Sequence, residues 1–192
     1  MSMPETAQSN RFEPDLRRFA LTLYGRPGVE AACLTLQDEG GLDVCELLWR
    51  CWLAHHGLAP GPATEAGLAD IRRWQREMTA PLRHRRRRLK SLATDEPRLE
   101  TLRTHLKRAE LESELEALTR LQALAELHDS VTSAPHHSLA IELTTHYHPS
   151  VASLEAALTT LAQQAMALPP WPEQRVPAAE TPNAPEAARR PS

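Results

Sequence analysis

The chain has almost no lysine: of its 22 basic residues only Lys90 and Lys107 are lysines, the rest arginine. With so much Ala, Leu and Pro around them, the arginines read first as a matter of base composition. Aromatic residues make up 4% and cysteines number three. An odd, small set of cysteines is not a disulfide scaffold and points to a reducing compartment. No apolar run approaches the roughly 20 residues that span a bilayer, and Leu16 to Tyr24 is too short and too charged at its flanks for an export signal. The cytoplasm is therefore the expected location, with no membrane partner. Phosphate loop, dinucleotide fingerprint, GxSxG elbow and HExxH are all missing, which removes the common enzyme classes they mark. No cofactor is expected. A formal net charge of -3 and a pI near 6.3 argue against a general polyanion binder.

What is present is helical periodicity. The 192 residues suit one domain with tails: 1–13 and 169–192 without periodicity and expected to be disordered, 14–168 a helical domain. Leu16, Phe19, Ala20 and Leu23 repeat as one buried stripe, as do Val29, Ala32, Cys33 and Leu36. Gly40 and Gly41 stop the second helix. Asp43 and Glu46 have capping-box spacing for a third, whose face Val44, Leu47, Leu48, Cys51 and Trp52, widened by Trp49 and Leu53, predicts a central, deeply buried element. A fourth helix begins at Thr64, with Leu68, Ile71, Trp74 or Gln75, Met78 and Leu82 inward, and Pro81 is expected to kink or break it. A long helix follows Asp95-Glu96-Pro97 to about His128. Its apolar stripe drifts from Leu99, Leu102 and Leu106 to Leu111, Leu115 and Leu118, then back to Leu121, Leu124 and Leu127, so it contacts different neighbours rather than forming a coiled coil. Ser138 to Tyr147 and Val151 to Leu168 are the last helices. No β-alternation of useful length occurs. The fold class is all-α, a bundle of about six or seven helices.

The densest stretch lies between Pro27 and Gly57, and its residues carry a resemblance. Phe19-Ala-Leu, Tyr24, Pro27-Gly-Val, Ala32-Cys-Leu, Leu36-Gln-Asp, Gly41, Asp43-Val and Trp52-Leu together resemble an uncharacterised family of small proteobacterial proteins, over residues 12 to 57. The family pattern has asparagine after Asp-Val, where this chain has Cys45. The resemblance implies a single helical unit and brings no activity, substrate or cofactor.

Four groups could carry chemistry. Gln37, Asp38 and Asp43 flank the glycine turn, and with Tyr24 and Trp49 could line a pocket between the second and third helices; two carboxylates there could hold a cationic ligand or do acid–base work. The simpler reading gives Asp43 a capping role and Asp38 the turn amides. Cys33 and Cys51 fall on apolar stripes and read as core, while Cys45 is the thiol expected to be reachable. His136-His137 and His146-x-His148 could share a metal, but no acidic or cysteine partner stands at a telling offset, and solvated histidines are expected. Arg83, Arg85, Arg86, Arg87, Arg88 and Lys90 form the strongest charge block. It could bind RNA or another polyanion, or be neutralised across a hairpin by Glu110, Glu112, Glu114 and Glu116. Leu82 and Leu89 put Arg83, Arg86, Arg87 and Lys90 on the side away from the core, and no aromatics interleave for stacking. Internal neutralisation is the expectation. The function expected is a non-enzymatic binding or adaptor protein with a protein partner. The alternatives are a small-molecule-binding or enzymatic domain using Asp38 and Asp43, which a pocket lined by Tyr24, Gln37 and Trp49 would favour where a flat surface would favour the adaptor, and an RNA- or ribosome-associated protein using the arginine block.

Overall fold

The computed structural model describes residues 12–134 and 139–170. Its chain is all-α: among those residues seven helical rods accompany one short strand pairing. Asp15 starts α1 (Leu16–Tyr24) by accepting from the Arg18 amide, so its carboxylate satisfies an orphan donor of the first turn. Gly28, at φ 79, precedes α2 (Val29–Asp38) in a left-handed conformation that suits glycine. The Asp43 carboxylate opens α3 (Val44–His55) by accepting from the Cys45 and Glu46 amides at 2.9 and 3.2 Å. The predicted stripes of α1 and α2 are the buried ones, and on α3 every residue from Cys45 to Leu53 is buried.

The rod that follows is α4 (Thr64–Trp74), a π-helical turn (Gln75–Thr79) and α5 (Ala80–Asp95). Pro81 neither breaks nor ends it: the proline falls in the first turn of α5, just past the π turn, where the ladder is already widened. The wide turn carries one extra residue, so the inward face passes from Ile71 to Thr79, and Met78 turns outward at 45% exposure. Thr79 Oγ1 lies 2.7 Å from Ser113 Oγ across the interface. A 3-10 turn (Pro97–Leu99) then reverses the chain into α6 (Glu100–Glu126). The drifting stripe of α6 has a physical cause. It packs on α1, α3, α4, the π turn and α5, as well as on the short turn before it, so different parts of its surface meet different neighbours. Leu102 and Leu111 are about half exposed, and Leu127, just past the helix end, is 59% exposed. Strands β1 (Leu58–Pro60) and β2 (Val131–Ser133) pair antiparallel and tie the chain after α3 to the chain after α6. Helices α7 (Leu139–Tyr147) and α8 (Ala152–Met166) close the bundle, α8 lying along α2 and against α3.

The core is continuous, with Trp49 and Trp52 as its largest wholly buried side chains. Trp52 donates from Nε1 to the Pro14 carbonyl at 2.8 Å and packs against Phe12 with the rings tilted at 58° and their centroids 4.7 Å apart. Phe12, placed by its sequence ahead of the domain, thus belongs to the core. The remaining segments expected to be unstructured, 1–11 and 171–192, lie outside the described residues, as do His136, His137 and Ser138.

Candidate ligand cleft

The helices leave a cleft of about 820 Å³ between α1, α2 and the start of α3 on one side and the π turn, α5 and α6 on the other. Tyr24, Gln37 and Asp43 line it. Trp49 does not: it is fully buried on the inner side of α3, its indole N–H without a hydrogen-bond partner. Asp38 does not line the cleft either. Its carboxylate is held by Arg87, which also donates to Gln37 Oε1 at 3.3 Å. The two carboxylates that an acid–base site would need are therefore committed to different partners.

Asp43 is the better-buried of the two. Besides the two α3 amides, Oδ1 accepts from Gln75 Nε2 at 3.0 Å, so a helix cap also joins α3 to the π turn. Burial raises its pKa, against the pull of those hydrogen bonds and with the Glu46 charge adding to the rise. Glu46, the expected partner in a reciprocal capping box, gives Asp43 its amide but commits its carboxylate to arginines instead. It is 4% exposed and accepts from Arg50 Nη2 at 3.2 Å and from Arg72 Nε and Nη2 at 2.8 and 2.9 Å. Burial alone would raise its pKa, but the two guanidiniums outweigh that and hold it below the usual carboxylate range. The local spacing was right for a cap, but the arginine 26 residues on competes for the carboxylate and wins.

Cys45 also reaches the cleft, yet it is buried, contrary to expectation; its thiol faces the Glu114 carbonyl at 3.8 Å and burial pushes its pKa well up. Burial likewise raises Cys33 to about 12 and Tyr24 to about 12. None of these groups is an activated nucleophile. Cys33, Cys45 and Cys51 are all free and buried. Among the described residues no three metal-binding side chains gather at one place.

The arginine block divides in two. Arg83 and Arg86 turn inward toward α6 rather than away from it. Arg83 meets Glu110 at 2.9 Å and Glu114 at 2.5 Å, and Arg86 also pairs with Glu110. Glu116 pairs instead with Arg120 on its own helix, at 2.8 Å. Arg85, Arg88 and Lys90 are exposed and have no acidic partner among the described residues. The inward turn follows from Glu110, which is 6% exposed and needs both guanidiniums to offset its burial.

The side chains that sequence reasoning passed over are apolar. Leu21, Leu34 and Leu111 are 66%, 44% and 52% exposed, and with Tyr24 at 37% all four line the cleft. They come from three helices. The signal was available: Leu21 and Leu34 are the leucines of α1 and α2 that lie off the buried stripes.

A helical bundle with an amphipathic cleft is the class these features define. Residues 15–121 match a family described as protein of unknown function (DUF2390), and the chain belongs to that family. The match includes every cleft-lining residue, from Arg17 to Leu118, and leaves out α7 and α8. No curated protein and no solved structure matches the chain.

Proposed function

We propose that this is a non-enzymatic binding or adaptor protein of the bacterial cytoplasm, and that the cleft receives a protein partner. The observation that carries the reading is the convergence of Leu21, Tyr24, Leu34 and Leu111 on one opening. Single exposed leucines are ordinary, whereas a cluster from three helices around a concave site marks an interaction surface. The polar groups support binding over catalysis: Asp43 is spent on the α3 cap, Glu110 and Glu114 on arginines, and the tyrosine and cysteine pKa values lie far above neutrality. Three free buried thiols suit a reducing compartment, and no helix among the described residues is long and apolar enough to cross a membrane.

A second reading, polyanion binding by the α5–α6 hairpin, is supported by Arg85, Arg88 and Lys90, but half of the block is occupied by Glu110, Glu114 and Asp38. The test is affinity capture with the parent and with Leu21→Asp/Leu111→Asp, each with and without nuclease, followed by binding of the recovered partner in purified form. A partner retained by the parent after nuclease and lost by the variant is the expected result. Retention of the same partner by both proteins overturns the cleft reading, and capture that nuclease abolishes replaces it with the polyanion one.

A further inference from the structure

We propose that the occupant of the cleft is an acidic amphipathic helix of the partner protein. The inference rests on the cleft being a protein-binding site and names what fills it. Volume alone does not choose the ligand, because about 820 Å³ also falls within the range of small-molecule sites. The rim chooses it. Leu21 is two-thirds exposed and Leu111 half exposed, on opposite walls. A small molecule held between the walls leaves such rim side chains in water, whereas a helix about 10–12 Å across lies over both walls and covers them.

Charge sets the sign of the ligand. Arg17, Arg76 and Lys107 line the cleft from α1, the π turn and α6; all three are exposed and have no carboxylate partner among the described residues. Of the lining acids, Glu110 and Glu114 are neutralised by Arg83 and Arg86, and Asp43 is bound up in its cap. Glu30 is the one exposed acid left facing the three cations among the described lining residues. Carboxylates flanking an apolar stripe match this arrangement, and ammonium groups oppose it. Within the lining, Gln75 Oε1 is buried with no donor, its amide nitrogen being given to Asp43.

The test uses the full chain and two fluorescein-labelled helical peptides. Both carry leucine at i, i+3, i+4 and i+7, one with glutamate and one with lysine at the flanking positions. Anisotropy at about 50 mM salt is expected to show the glutamate peptide binding about tenfold tighter or more, and the preference should shrink at about 500 mM. Arg76→Glu/Lys107→Glu, with an unchanged circular dichroism spectrum and melting temperature, should reverse the preference. Equal affinities, tighter binding of the lysine peptide, or no binding of the glutamate peptide at about 1 mM, the millimolar end of the affinity scale, overturns the proposal. If the partner captured above still depends on Leu21 and Leu111 in that case, the protein-binding cleft stands and only the acidic helix falls. A concentration-dependent dimer in light scattering that Leu111→Asp abolishes overturns it in favour of a second copy of this chain.

Discussion

Removing the Glu46 carboxylate should destabilise this fold strongly, and Glu46→Ala tests that. The side chain is 4% exposed and is the acid in salt-bridge contact with Arg50, itself 6% exposed; the Glu142 carboxylate lies near enough to feel the Arg50 charge but makes no such contact among the described residues. Arg72 is the other partner, but a third of its side chain is in water and Glu65 holds it at 2.8 Å. The loss therefore falls on Arg50, left as a buried charge beside the Tyr147 ring, 5.7 Å from its centroid. Stranding one member of a buried pair costs about 3–5 kcal/mol. Glu46→Leu combined with Arg50→Met removes both charges and should cost less than the single change, because no ion is then stranded. Urea unfolding followed by fluorescence of the buried Trp49 and Trp52 measures the midpoints, and equal slopes allow their conversion to free energies. The pH dependence has a definite sign. The folded pKa of Glu46 lies below its unfolded value, so its contribution is full above the ordinary carboxylate range and is lost as pH falls through the folded value. The gap between parent and Glu46→Gln should accordingly close in acid. A cost below about 1 kcal/mol for Glu46→Ala, or a larger cost for the double variant, would refute the stranded-charge reasoning.

Asp43→Ala should cost about 1 kcal/mol through loss of the α3 cap, with Asp43→Asn recovering most of it, as read from thermal melts. Trp52→Ala should cost about 3–5 kcal/mol, the range for a deleted core aromatic, and a variant as stable as the parent would contradict its burial. Burial lowers the pKa values of His55, His56 and His146. The unfolded chain then binds protons first as pH drops through 6.5, so these histidines favour the fold above that value and lose their contribution below it. Between pH about 7.5 and about 5.5 the parent should lose more thermal stability than His56→Phe, and parallel losses would refute the assignment.

Local periodicity carried most of the fold. The stripes of α1 and α2 follow from residue spacing, because each of those helices meets the core along one continuous face, and the apolar face of α3, widened by Trp49 and Leu53, matches its burial on all sides. Spacing failed where the helix geometry itself changes: the π turn before Pro81 advances the inward face to Thr79 and expels Met78. It failed again where a partner is distant in sequence. Nothing near Glu46 announces Arg72, and nothing in the arginine block says that Glu110 draws Arg83 and Arg86 inward while Arg85 and Arg88 stay in water. The cleft was half legible. Gln37 and Asp43 were placed by the glycine turn they flank, but the apolar rim needed α6 to be laid beside α1 and α2, a long-range arrangement that no local pattern encodes.

Site-specific photocrosslinking in living cells tests the central claim most directly. A photoreactive residue at position 111 sits on the cleft rim, and one at position 141 sits on α7, where Ile141 is 64% exposed and does not line the cleft. The account predicts one discrete protein adduct from position 111 that is absent from position 141 and disappears when Leu21→Asp is added. No adduct at 111, or the same adduct from both positions, would contradict it.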